Sequence, residues 1–173
     1  MKNTIYKIWS KFLSGFGEIR ISKYFPWLYY DTTNPKVTGD VIFKMIDILK
    51  PGDIIIRGWD SYLDSFFIKG DYSHAGIYIG NNTVIHAVSP NVCETSIIDF
   101  SLCDRICVIR PDNYNRKSVI IAKQFVENNI PYDFNFSVHD SNALFCFELA
   151  AKSYPKINFP LFKISKFFGL LKK

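Results

Sequence analysis

The chain has 173 residues, about one domain's length and enough to bury a real hydrophobic core. Apolar residues make up 48% of it and charged residues 21%, which excludes a disordered chain. The net charge of +5 is concentrated at one end: residues 151–173 hold six Lys and no acid, leaving the rest at about −1.

In chain order, residues 1–48 are expected to form a helical extension packed on the domain. Ile5, Ile8, Trp9, Phe12 and Leu13 recur at helical spacing, residues 31–39 break the pattern, and 40–48 make a short helix. The N-terminus shows no unbroken apolar stretch or small-residue cleavage site, so it does not read as a signal peptide. No segment reaches the length of about 18 apolar residues that spans a bilayer. Cytoplasmic synthesis is the expectation that follows.

Lys50-Pro51-Gly52-Asp53 is a turn signal, and Ile54-Ile55-Ile56-Arg57 after it reads as a buried strand. Ser73–Ile79 and Thr83–Val88 are two strands of a hairpin around Gly80-Asn81-Asn82, with 58–70 irregular or helical before them. Val92–Ser96 and Ile106–Arg110 are further strands. Ser118–Asn129 is a helix closed by Asn128, Asn129 and Pro131, and a last helix runs from about Leu144 to Tyr154. Strands in the middle and helices at both ends make an α+β domain over 49–155.

Residues 156–173 are a basic amphipathic tail, in which Phe159, Leu161, Phe162, Ile164, Phe167, Phe168, Leu170 and Leu171 stand between lysines. Such a segment can meet an anionic membrane or cell-envelope surface. The plain alternative is a terminal helix with its apolar face on the domain and its lysines in water.

Four cysteines in a chain of this length do not make a disulfide scaffold, so each thiol is judged for packing or chemistry. Cys146 falls where the last helix begins, after the polar run Ser137–Asn142. There the free backbone N–H groups favour a thiolate and can receive an oxyanion. Its base must come from elsewhere in the fold, and His74 and His86 are the candidates. A three-residue loop, Gly80-Asn81-Asn82, puts Gly76 opposite His86 and His74 diagonally on the same face, with Ile77, Ile79, Ile85 and Ala87 on the other. A two-residue Asn81-Asn82 loop would put the histidines on opposite faces. Tyr78 shares the histidine face and either shapes a cleft or packs.

His139 is a rival base seven residues before Cys146. Glu148, on the first helical turn, reads as structural, and Asp133 in PYDF as a turn or cap residue. Cys93, Cys103 and Cys107 lack the paired spacing of a zinc site, so no metal is expected. Nothing resembles a phosphate-binding glycine loop or a base-reading surface, so no nucleic-acid partner is expected.

Four segments stand in order: the PGD turn and its strand, SHAGIYIG (73–80) with VIHAV (84–88), PYDFNF (131–136), and FCFELA (145–150). This order resembles the YiiX/YebB-like branch of the circularly permuted NlpC/P60 superfamily, over roughly residues 50–154. The spacing of His74 and His86 before a later Cys is also similar to lecithin:retinol acyltransferase-like proteins. The resemblance implies a papain-like fold, with a central antiparallel sheet packed against helices. It implies Cys146 as nucleophile, His74 as base and His86 in the third polar position, with no cofactor. The implied substrates are peptidoglycan-type peptides or lipid acyl groups. Phe147 replaces the Ser usual in YiiX-like proteins and is expected, with Tyr78, to shape substrate binding. A non-catalytic binding or structural protein that keeps the hydrolase fold within a larger assembly is the alternative.

Overall fold

The computed structural model describes residues 4, 7–12, 19–21, 28–30, 35–60, 70–112, 116–136 and 142–155. Residues 7–12 are helical, in keeping with the apolar spacing. The rest of the lead-in corrects the expectation of a helical extension. β1 (Ile19–Ile21) and β2 (Leu28–Tyr30) pair antiparallel as a separate two-stranded sheet. Three-residue strands are too short to show an alternation that competes with helical spacing. α1 (Gly39–Ile48) then follows as expected.

The main sheet is antiparallel and holds β3 (Ile54–Gly58), β4 (His74–Gly80), β5 (Thr83–Ala87), β6 (Val92–Ser96) and β7 (Arg105–Ile109) in the order β6-β5-β4-β3-β7. A four-residue helix, α2 (Ile97–Phe100), separates β6 from β7 and was not legible in the sequence. Ser96 caps it, its hydroxyl accepting from the Asp99 N–H at 3.0 Å. α3 (Lys117–Glu127) and α4 (Cys146–Ser153) complete the described elements.

Successive residues of a strand point to opposite sides, and in the inner strands β3, β4 and β5 both sides are largely buried. On one side Ile54, Ala75, Ile77, Ile85 and Ala87 pack with Ala122 of α3 and Leu149 and Ala150 of α4, with Ile79 against them. On the other, Ile55, Tyr78 and Val84 pack with Met45 of α1 and Ile97 and Phe100 of α2.

The PGD turn has a structural role. Asp53 is fully buried and takes a bidentate bond from Arg110, Nε to Oδ1 at 2.8 Å and Nη2 to Oδ2 at 2.7 Å, plus the Lys50 N–H at 2.7 Å. The start of β3 is thereby fastened to the residue after β7. The Tyr154 hydroxyl donates to the Gly52 carbonyl, so the end of α4 is anchored to the same turn.

The β4–β5 hairpin departs from the expected loop but keeps the expected register. Asn81 and Asn82 alone form the turn, with φ of 50° and 55°, the left-handed pair that a two-residue hairpin requires. An irregularity between Tyr78 and Gly80 inserts one residue into β4, so Gly80 pairs Thr83 while Gly76 still pairs His86. Without that extra residue every side chain of β5 would change face. The bulge, rather than a third loop residue, puts His74 and His86 on one side.

Candidate active site

β4 is the central strand, and His74 is its first residue. Arg57 is its cross-strand neighbour on β3, while on the other side Gly76 faces His86 and His86 faces Cys93 of β6. Arg57, His74, His86 and Cys93 therefore run across one face of the sheet. Gly76 makes room between them. A Cβ there would lie 2.6 Å from Val84 Cγ1, 3.0 Å from Phe100 Cε2 and 3.1 Å from the Ile85 carbonyl. Phe100 occupies that space, its ring centroid 5.7 Å from the His74 ring and 5.4 Å from the His86 ring. Gly76→Ala is expected to cost about 1–3 kcal/mol by overpacking and to spread the histidine pair. Urea unfolding measures the first effect, and an unchanged midpoint would show that the site yields freely.

The histidine pair is tight. His74 Nε2 lies 2.8 Å from His86 Nδ1, and the rings meet edge-on at 86°. His86 Nε2 in turn lies 3.6 Å from Cys93 Sγ. With Nε2 engaged, the nitrogen of His74 left for chemistry is Nδ1.

Cys146 opens α4. Its N-cap, Phe145, offers no side-chain hydrogen bond, so the first backbone N–H groups of the helix remain for other acceptors. The N–H groups of Cys146, Phe147 and Ala75 are turned to Cys146 Sγ, and the Ser73 carbonyl lies 3.8 Å from it. The Tyr78 N–H donates to the carbonyl of Asp53, just before β3, so alternation points the Ala75 N–H the other way, towards β5. Pairing of β4 with β5 ends at Gly76 and His86. The thiol thus sits where β5 leaves β4, against the backbone of both neighbours of His74. No hydrogen bond joins Sγ to either imidazole among the described residues.

Electrostatically the thiol and both imidazoles rest neutral beside a cationic Arg57. Cys146 is 4% exposed, and burial pushes its thiol up to about 11, against the pull of the three N–H groups and of Arg57. Burial, then Arg57 and His86, drives His74 well below its ordinary range. Burial and Arg57 bring His86 down to about 4. Arg57 carries the positive charge here. Its guanidinium lies 4.5 Å from the Trp59 ring centroid and 4.4 Å from that of Phe100, and Nη1 donates to the Phe100 carbonyl at 2.7 Å. Burial brings it down to about 10. Arg57 Nε and Ser73 Oγ are buried without a hydrogen-bond partner among the described residues.

The expected residues fare differently. His74 and His86 pair with each other, and Cys146 Sγ lies against the backbone on either side of His74 and the Phe147 N–H, while the Phe147 side chain packs on the core of its helix. Tyr78 is placed away from the thiol, in the opposite core, its hydroxyl accepting from the Asn82 N–H at 3.3 Å at the hairpin end. Asp133 is a buried turn residue, accepting from the Asn135 N–H at 2.7 Å. Glu148 pairs with Lys152 at 2.8 Å one turn on. His139 and the tail 156–173 lie outside the described residues. Arg57 and Cys93 carry no functional expectation from sequence. The available signals were a cation ending an otherwise apolar strand and a thiol in register with His86.

Over residues 48–169 the chain matches the family described as permuted papain-like amidase enzyme, YaeF/YiiX, C92. Among solved structures it is similar to the metalloprotein YiiX from Escherichia coli O157:H7, at 26% identity and a TM-score of 0.52. That match covers 61% of this chain and 64% of YiiX, so under two thirds of the relative's length is represented. No curated protein matches. An α+β domain with a cysteine heading the helix after an antiparallel sheet, and a histidine on the sheet's central strand, defines a permuted papain-like protein. The chain belongs to the C92 family of permuted papain-like amidases.

The name of that relative raises the question of a metal. Among the described residues no three His, Cys, Asp or Glu side chains converge to hold one. His74 and Cys93 address opposite nitrogens of His86, so their lone pairs do not meet at a point. No helix among the described residues is long and apolar enough to cross a membrane.

Proposed function

We propose that the chain is a thiol hydrolase that cleaves an amide, ester or thioester through an acyl-enzyme on Cys146. The observation that carries this is the placing of Cys146 Sγ at a helix N-terminus, against the backbone flanking a histidine whose Nε2 is already held. Sγ attacks the substrate carbonyl carbon while His74 Nδ1 takes the thiol proton. The carbonyl oxygen becomes an oxyanion received by the N–H groups of Cys146 and Phe147. The tetrahedral species collapses, His74 returns the proton to the leaving amine or alcohol, and water then releases the acyl group with His74 again as base. Because thiol and imidazole both rest neutral, proton transfer accompanies attack instead of preceding it.

The family's amidase class supports an amide bond, in a peptidoglycan-type peptide or an acylated lipid. The similarity to lecithin:retinol acyltransferase-like proteins rests on histidine spacing and keeps acyl transfer to an amine within the same scheme. Arg57 Nε and Ser73 Oγ, buried and unpartnered among the described residues, are polar atoms that a substrate group entering the site would satisfy. Residues 156–173 would bring the site to an anionic membrane or envelope surface, with five lysines, since Lys152 is engaged by Glu148.

The alternative reading, a binding protein with a silent site, is favoured by the buried neutral thiol. Acid-quenched mass spectrometry separates the two after incubation with peptidoglycan stem peptides or phospholipid vesicles. An acyl adduct on the Cys146 peptide is the expected result. Its absence with both substrate classes, with no product released, would leave the binding reading.

A further inference from the structure

His86 is held at both ring nitrogens, and that decides more than its position. A neutral imidazole has one N–H and one lone pair, so the bond between His74 Nε2 and His86 Nδ1 has only two arrangements. If His86 donates from Nδ1, its Nε2 accepts from the Cys93 S–H. His74 then accepts at Nε2, carries its proton on Nδ1, and offers no lone pair to the Cys146 thiol. If His86 donates from Nε2 to Cys93 Sγ, its Nδ1 accepts from His74 Nε2–H. The lone pair of His74 is then on Nδ1, where a base is required.

We propose that Cys93 is a positioning residue that accepts from His86 Nε2–H and thereby holds both histidines in the tautomer that leaves His74 Nδ1 basic. Three observations place it there: its cross-strand register with His86, the 3.6 Å contact to Nε2, and its position on the histidine face of the sheet. Among the described residues, the charged neighbour that acts on both histidines, Arg57, does not substitute for it. Arg57 has no lone pair to offer, and its Nη1 is spent on the Phe100 carbonyl. The inference rests on the proposed role of His74 and extends the base's support from His86 to a fourth residue, which touches neither substrate nor thiol.

The test uses the full chain as wild type, Cys93→Ser and Cys93→Val, with long-range proton–nitrogen NMR reading the tautomers of His74 and His86. In wild type both rings are expected as Nε2–H. Valine keeps the bulk and removes the acceptor, so His86 is expected to shift towards Nδ1–H. Acylation of Cys146 should fall about fivefold, the worth of one neutral hydrogen bond. Serine, which can accept, is expected to restore both readouts. If valine crowds the strand, Cys93→Ala serves in its place. Unchanged tautomers without the sulfur, or serine failing as completely as valine, would overturn the proposal. The NMR result does not depend on turnover, so an inactive protein with shifting tautomers would count against the hydrolase reading and not against Cys93.

Discussion

Cys146→Ala is expected to abolish turnover, by a factor of about 10³ or more, while leaving the fold in place. The chemistry leaves no substitute nucleophile. Among the described residues Ser73 Oγ has no hydrogen-bond partner to activate it, and Cys93 lies on the far side of His86 from His74. Folding tolerates the change because the thiol makes only weak contacts with the Ser73 carbonyl and nearby N–H groups, whereas Leu149 and Ala150 carry the apolar packing of α4. Hydrolysis assays and far-UV circular dichroism together make the check. Residual turnover near the wild-type level would remove Cys146 from the mechanism.

The second large effect is acid destabilisation. Burial and Arg57 hold His74 and His86 below the 6.5 of an unfolded chain. Between pH 6.5 and about 4 the unfolded chain binds protons that the folded protein refuses, so this stabilisation is fully present above 6.5 and is lost as pH falls. For His86, depressed to about 4, the loss amounts to about 3 kcal/mol at the acid end, a large share of a small domain's stability. Glu148 acts oppositely: burial raises its carboxyl, which favours the folded state as pH drops towards the carboxylate range. The histidine effect is therefore cleanest between pH 6.5 and 5.5. Urea midpoints across this range are expected to fall with pH, and less steeply in His86→Gln. A flat profile would mean that the imidazoles take up protons in the folded state.

A thiol and imidazoles that rest neutral also change how the site reacts. A preformed thiolate–imidazolium pair would alkylate below the free-thiol range of about 8.5, but a thiol pushed up to about 11 by burial does not. On the proposed mechanism the nucleophile would be generated only when substrate brings a carbonyl to the helix N-terminus.

Much of this is legible in the sequence. The apolar run Ile54–Ile56 announced a buried strand, and two asparagines between alternating segments announced a hairpin. The polar stretch before Cys146 announced a helix start. These are local signals, carried by side-chain period and turn chemistry within a few residues. Where the signal is weak they fail: β1, β2 and α2 span three or four residues each, too few for a period to emerge. The hairpin gave the right pairing of Gly76 with His86 from a loop one residue too long, because a bulge and a longer loop shift register identically.

By itself the sequence determined the α+β class, the order of the main-sheet strands along the chain, and which cysteine heads a helix. Only the tertiary structure decided the charge state of the site, the placing of Tyr78 in the core, and the presence of Arg57 and Cys93 beside the histidines. Those properties come from burial and from neighbours distant in the chain. Arg57 faces His74 from the adjacent strand, and Cys146 reaches residue 73 from the other end of the domain. Desolvation is set by what covers a group from all sides, and no local pattern of residues encodes that.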